Sequence, residues 1–166
     1  MAVIDKNNLR TITIEKVWRK LDYFLAFGYG LGKIPCAPGT FGTLGCIPIY
    51  LLIVNFNVSS YFIIVLLLFV YGLHLCKVAE QYTGFKDDPA IVWDEIVGML
   101  LVLGVVPMQV FWLGVAFVLF RLFDIVKPWP INLVEKIKYS GLSIMLDDII
   151  AGLYSIIVIK LLQLIF

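Results

Sequence analysis

The stretch Ile96–Phe120, IVGMLLVLGVVPMQVFWLGVAFVLF, decides the fold because it carries no charge and is long enough to enter a membrane. Gly104 and Pro107 lie near its middle and Gln109 follows, at positions where a helix bends or ends. One tilted transmembrane helix or a hairpin of two helices could form. We prefer the hairpin, because it places every lysine and arginine except Lys160 on one side of the membrane, as the positive-inside rule favours.

Two further apolar stretches complete the predicted fold. Ile34–Cys76 contains no Asp, Glu, Lys or Arg and is too long for a single crossing of a hydrocarbon layer of about 30 Å. Polar residues cluster at Asn55–Ser60, so we expect helices near Phe41–Val54 and Tyr61–Val78 on either side. Ile149–Phe166 forms the last apolar segment. The sequence therefore predicts an all-α, membrane-embedded bundle of about four to six helices.

The composition excludes several classes of protein. Of the 166 residues, 61% are hydrophobic and 15% are charged, where soluble domains have about 45–50% and 25%. The formal net charge of +1 argues against a nucleic-acid partner. Residues 1–22 are charged and lack the apolar core of a signal peptide, so we assign them to a cytosolic amphipathic segment. We expect residues 23–166 to form a single membrane domain. The sequence does not indicate an oligomeric state.

The remaining polar residues gather in four blocks, and acidic residues near membrane depth are costly unless paired or bound to a cation. The first block, Gly28–Thr43, is rich in glycine. Its glycines would let backbone N–H groups approach a phosphate, and Thr40 and Thr43 would offer hydroxyls at the start of a helix. The same residues also suit a structural turn in which Thr40 caps the helix. The residues alone leave both interpretations open.

The second and third blocks combine acids and bases. Asp94 and Glu95 are adjacent carboxylates that would repel each other without a cation, although the N-terminus of a helix also favours negative charge. Arg121, Asp124 and Lys127 recur every three residues and share one helical stripe. This stripe fits a simple ion pair. It also fits a phosphate clamp formed by Arg121 and Lys127, with Asp124 on a metal.

The fourth block contains Asp147 and Asp148, which we expect at the start of the last helix. Capping that helix needs one carboxylate, so the second is unexplained. In the hairpin topology, both lie at the same ends of their helices as Asp94, Glu95 and Asp124. Five carboxylates with few other ligands suit a hard divalent cation such as Mg²⁺.

Four ordered motifs run through these blocks. They are PxAPGTxG, IVWDExVG, FRxFDxxKPWPI and MLDDIxAG, at Pro35–Gly42, Ile91–Gly98, Phe120–Ile131 and Met145–Gly152. The set, from Ala26 to the C-terminus, resembles the phosphatidylglycerophosphatase A family. The resemblance implies a multi-pass, Mg²⁺-dependent lipid phosphatase of the bacterial cytoplasmic (inner) membrane, with its active site facing the cytosol. Its substrate would be phosphatidylglycerophosphate and its products phosphatidylglycerol and inorganic phosphate.

The resemblance and the residues together give a site hypothesis. The predicted catalytic and metal-binding residues, one of them the general base, are Asp94, Glu95, Asp124, Asp147 and Asp148. The predicted ligands of the substrate phosphate are Thr40, Thr43, Arg121 and Lys127. Direct attack by water is preferred to an aspartyl-phosphate intermediate, because the chain has hardly any strand-like region to hold an aspartyl nucleophile.

Two alternative functions stay open. CDP-alcohol phosphotransferases also cluster aspartates at membrane helix ends, although their longer Asp-Gly and Ala-Arg pattern is absent. A small membrane transporter or assembly protein would instead distribute its acidic residues across the depth of the membrane.

Overall fold

The computed structural model describes residues 21–85, 88–134 and 140–165. All regular secondary structure within these ranges is helical, which confirms the predicted all-α class. The N-terminal segment assigned to residues 1–22 lies almost wholly outside the described residues, and its assignment stays a prediction.

Four helices of eleven residues or more make up the bundle, and shorter helices lie before and between them. In chain order the described helices are α1 (Leu21–Ala26), a 3₁₀ helix (Gly28–Lys33), α2 (Pro38–Leu44), α3 (Cys46–Ile53), α4 (Val58–Thr83), α5 (Trp93–Leu103), α6 (Val110–Val126), α7 (Ile131–Val134) and α8 (Ser140–Ile165). The bundle helices are α4, α5, α6 and α8.

The ends of α4 follow from local chemistry. Asn57 precedes the helix, and its side chain accepts a hydrogen bond of 2.8 Å from the backbone N–H of Ser60. This cap confirms the predicted break at Asn55–Ser60. At the other end, Gly84 adopts a left-handed conformation with φ 74°, which terminates the helix without the strain that a side chain would add.

Helices α5 and α6 form the hairpin predicted for Ile96–Phe120. Near the end of α6, Nη1 of Arg121 lies 2.9 Å from Oε1 of Glu95 at the start of α5, so the two helices run in opposite directions. At the far end, Nζ of Lys160 on α8 donates a 2.8 Å hydrogen bond to the carbonyl of Val105 in the connecting turn. A single tilted helix over this stretch is excluded.

Helix α8 occupies the centre of the bundle and packs against α4, α5 and α6. Small residues bring α5 and α8 close together, as in many membrane helix pairs. A Cβ added to Gly98 would lie 2.8 Å from Cε2 of Phe120 and 3.0 Å from the carbonyl oxygen of Asp148. A Cβ on Gly152 would lie 3.2 Å from the Gly98 carbonyl oxygen. This close contact holds the acidic pair of α8 beside the start of α5.

Helices α4 and α8 are both long and apolar enough to cross a membrane. Large apolar side chains on α4, including Ile63, Leu66 and Leu67, are exposed, as expected of a surface in contact with lipid. Helix α5, at eleven residues, is about 16 Å long and cannot span a hydrocarbon core of about 30 Å alone. These features are those of a membrane protein.

The packing of α5 on α6 and α8 predicts different effects of an alanine substitution at two helical glycines. Gly98→Ala should destabilise the protein by about 1–3 kcal/mol, because the added methyl group overlaps buried Phe120. The matched control is Gly114→Ala on α6, where nothing lies within 4 Å of an added Cβ and the change should stay within about 0.5 kcal/mol. Thermal unfolding in detergent measures both, and equal melting temperatures for the two variants would contradict the packing.

Candidate active site

The polar blocks meet in one cleft at the end of the bundle where α5 begins and α6 ends. This acidic cleft has a volume of about 340 Å³. Eight of the nine predicted site residues line it: Thr40, Asp94, Glu95, Arg121, Asp124, Lys127, Asp147 and Asp148. The structure therefore brings together residues from α2, α5, α6 and α8 that are distant in sequence. Their chemical roles stay predictions.

Thr43 is the predicted site residue that does not line the cleft. It is fully buried, and its hydroxyl donates a 2.8 Å hydrogen bond to the carbonyl of Gly39. The same oxygen lies 3.3 Å from Nη1 of Arg121, from which it accepts a hydrogen bond. The alternative interpretation of the first block, a structural turn, predicted that Thr40 caps a helix. Thr40 is instead inside α2, and the residue at the cap position is Ala37.

Arg121 is the central cation of the cleft. Its Nη1 lies 2.9 Å from Oε1 of Glu95 and 2.7 Å from Oδ2 of Asp124, and all three side chains are mostly buried. The i,i+3 pair with Asp124 is the ion pair that the spacing predicted. The bond to Glu95 adds a contact between helices, so Arg121 also fixes the start of α5 against the end of α6.

Helix α2 approaches this ion pair through two glycines. A Cβ on Gly39 would lie 2.6 Å from Nη2 of Arg121, and one on Gly42 would lie 2.6 Å from Oε2 of Glu95. Any larger residue would displace the carboxylate or the guanidinium. Sequence reasoning assigned these glycines to phosphate binding or a structural turn and missed their contact with the ion pair. The signal available was their position, three residues apart on one side of a helix.

The backbone of the cleft is strained at two residues. Ala37 and Lys127 have positive φ values of 49° and 45°, and both line the cleft. Such a conformation costs on the order of 1–3 kcal/mol in a residue other than glycine and is common at functional sites. Sequence reasoning missed Ala37, because neither glycine nor asparagine marks the position.

Asp147 and Asp148 differ from the sequence expectation in one respect. Helix α8 begins at Ser140, so the pair lies about two turns inside the helix and not at its start. Both carboxylates line the cleft, and Oδ2 of Asp147 lies 2.9 Å from Nζ of Lys127. Carboxyl groups that share one buried cleft favour a shared proton or a nearby cation.

Burial makes ionisation of the cleft acids costly. Burial, with the neighbouring carboxylate of Glu95 as a smaller cause, raises the pKa of Asp94 well above its usual range. Burial also raises the pKa of Glu95 to about 7, although the guanidinium of Arg121 opposes the rise. Among the described residues, six acidic and two basic side chains line the cleft. The arrangement therefore favours a bound cation or proton.

The donor atoms fit a hard metal ion that keeps part of its water shell. Within the part of the chain that the structure describes, three buried carboxylate oxygens have no hydrogen-bond partner: Oδ1 of Asp94, Oε2 of Glu95 and Oδ1 of Asp148. Across residues 21–85, 88–134 and 140–165, however, no three acidic side chains converge closely enough to enclose an ion by themselves. Mg²⁺ commonly binds through one or two carboxylates and several waters, so the oxygen donors are suitable for it.

Comparisons with known proteins agree with the motifs. The model of the phosphatidylglycerophosphatase A family matches residues 24–163. Phosphatidylglycerophosphatase A of Escherichia coli (strain K12) is 38% identical over 134 residues, which cover 80% of this chain and 78% of that protein. The protein of the same name from Haemophilus influenzae is 40% identical over 143 residues, covering 85% and 88%.

A third relative has a different name. A Bacteroides thetaiotaomicron protein, provisionally named a phosphatidylinositol-3-phosphatase, is 35% identical over 147 residues, covering 84% of this chain and 91% of that protein. No solved structure shows significant similarity to the chain. The residues matched by the family model include all four motifs and the cleft acids that lie within those motifs. This chain therefore belongs to the phosphatidylglycerophosphatase A family.

Proposed function

We propose that the protein hydrolyses the terminal phosphate of phosphatidylglycerophosphate, giving phosphatidylglycerol and inorganic phosphate. The observation that carries the proposal is the meeting of four separate motifs in one acidic cleft, within a chain that shares 38–40% identity with two phosphatases named for this reaction. Hydrolysis of phosphate monoesters is among the slowest uncatalysed reactions, so a site that assembles several charged groups suits it.

The acids of the cleft would hold Mg²⁺, directly or through waters. Asp94, Glu95 and Asp148 supply the unpartnered oxygens, and Asp124 and Asp147 complete the acidic wall. When bound, the ion would lower the pKa of a coordinated water and neutralise charge on the transferring phosphoryl group.

The side chains of the chain itself would perform the remaining steps. One carboxylate accepts a proton from the attacking water as general base. Lys127 and the hydroxyl of Thr40 bind phosphate oxygens, and Arg121 orients Glu95 and Asp124 as well as facing the phosphate. The water oxygen forms a bond to phosphorus while the bond between phosphorus and the terminal glycerol oxygen breaks, and that oxygen leaves as an alcohol with the proton that the carboxylate took from the water.

We further propose that the chain crosses the bacterial cytoplasmic membrane several times, with the cleft on the cytosolic side. The positions of the basic residues support this orientation. Arg121 and Lys127 lie at the cleft, whereas Lys160 lies at the opposite end of the bundle, against the turn between α5 and α6. The positive-inside rule places the end with more basic residues in the cytosol.

The grouping of the acids favours an enzyme over a transporter. An ion path would place acids at several depths, whereas the five predicted acids lie in one cleft at one end of the bundle. The name of the Bacteroides thetaiotaomicron relative makes phosphatidylinositol 3-phosphate the substrate to compare in the same assay. Faster hydrolysis of that lipid than of phosphatidylglycerophosphate would contradict the proposed substrate.

Asp94→Asn and Asp148→Asn should each reduce phosphate release from phosphatidylglycerophosphate by about 100-fold or more, because each removes a carboxylate from the cleft. The matched control is Asp22→Asn, which changes a carboxylate outside the cleft and should leave the rate within about twofold. Phosphate release in detergent micelles measures the rates, and thermal unfolding checks that the variants fold. Full activity in both cleft variants would remove the acids from the mechanism.

Removal of divalent cations should abolish phosphate release, and added Mg²⁺ should restore it, because six acids and two bases leave the cleft short of positive charge. The assay compares the wild-type protein in EDTA with the same sample after Mg²⁺ is added in excess. In the Asp148→Asn variant, the Mg²⁺ concentration that gives half-maximal activity should be higher than in the wild type by about tenfold or more. Undiminished activity in EDTA would contradict a divalent-metal mechanism.

Arg121→Lys should lower kcat by about tenfold or more although it keeps the charge, because the flexible lysine side chain does not hold its ammonium group rigidly at the position of Nη1 between Glu95 and Asp124. Steady-state kinetics on the lipid substrate measures the effect. The comparison is Lys127→Arg, which keeps the charge at a less buried position and should change kcat less. A wild-type kcat in Arg121→Lys would show that the geometry of the guanidinium is unimportant.

A further inference from the structure

The acidic cleft has an apolar side that the proposed chemistry does not use. Ile125 lines the cleft together with the charged residues, yet 69% of its surface is exposed. It lies on the last turn of α6, next to Asp124, which also lines the cleft. The charged interior therefore passes directly into an exposed apolar surface at this residue.

Exposed apolar residues continue away from the cleft along two helices. On α6, Ile125 is followed by Leu122 and Val118, spaced so that all three share one face. On α2, the row begins with Phe41 and Leu44, directly after the cleft residue Thr40. Both rows start at the cleft.

A polar contact joins α2 to α6 beside the cleft. Thr43 on α2 and Arg121 on α6 are hydrogen bonded at 3.3 Å, and a Cβ on Gly39 would lie 2.6 Å from Nη2 of Arg121. The exposed row on α6 begins at the cleft residue Ile125 and continues with Leu122. We call Ile125 and Leu122 the entry edge.

The chemistry of a lipid phosphate identifies what this edge contacts. The head group is charged and must reach the acids, whereas the acyl chains lose free energy with every methylene withdrawn from the bilayer. A site for such a molecule needs an opening where charged and lipid-exposed surfaces join. Within the described residues that line the cleft, Ile125 stands at such a junction.

We propose that the lipid substrate enters the acidic cleft sideways from the bilayer across the entry edge, with Ile125 packing against the glycerol and the first acyl carbons. This inference rests on the proposed function, because it takes a diacyl phosphate monoester as the occupant. The entry edge then contributes to substrate binding and not to the chemical step. Replacing its apolar side chain by a polar one should therefore raise KM.

The test compares Ile125→Gln with Val118→Gln in steady-state hydrolysis of dioleoyl phosphatidylglycerophosphate in mixed micelles. Val118 is the matched control because it lies two turns away on the same face, is 63% exposed and is outside the cleft. Ile125→Gln should raise KM about tenfold with kcat within about twofold, equivalent to about 1.4 kcal/mol of binding. Val118→Gln should leave both constants unchanged. Ile125→Leu should restore a KM close to that of the wild type.

A second substrate separates contact with lipid from general damage to the cleft. The deacylated head group, glycerophosphoglycerophosphate, has the same phosphate and no acyl chain. Ile125→Gln should therefore lower kcat/KM for the lipid more than kcat/KM for the deacylated head group. An unchanged KM for the lipid, or an equal loss on both substrates, would overturn the entry edge. Absence of phosphate release by the wild-type protein with Mg²⁺ would instead overturn the proposed function, and with it the occupant named here.

Discussion

The guanidinium of Arg121 is the contact on which the site depends. Its Nη1 reaches Thr43 on α2, Glu95 on α5 and Asp124 on its own helix, so one buried cation joins three helices. A buried charge needs partners on several sides, and here those partners determine where the helices meet. The absence of side chains at Gly39 and Gly42 follows from this contact, because α2 packs directly on the ion pair.

The surplus of acids over bases among the described lining residues of the cleft has a cost for folding. Asp124 and Asp148 line the same cleft, and Asp94 and Glu95 are adjacent and largely buried. Carboxylates held this close repel one another when ionised, which opposes folding. A bundle that keeps them must offset the repulsion by packing elsewhere, as at the close contact of α5 with α8.

Local chemistry made much of the fold predictable. Asn57 and Pro107 interrupt long apolar stretches, and the spacing of Arg121, Asp124 and Lys127 gave their shared stripe. Other features depend on contacts between distant segments, which no local pattern encodes. The burial of Thr43 under Arg121, the left-handed backbone of Ala37 and the position of the acids inside α8 belong to this group.

The contact of Lys160 with the turn between α5 and α6 limits how deep the cleft can sit. Lys160 follows Asp148 by twelve residues on α8, about 18 Å along the axis, and its side chain reaches several ångströms farther. This span is shorter than an average hydrocarbon core of about 30 Å. If the ammonium group stays at the membrane boundary farther from the cleft, hydrophobic mismatch draws the acids below the plane of the lipid head groups or thins the bilayer around the bundle. Membrane thickness therefore sets the vertical distance that a substrate phosphate must travel.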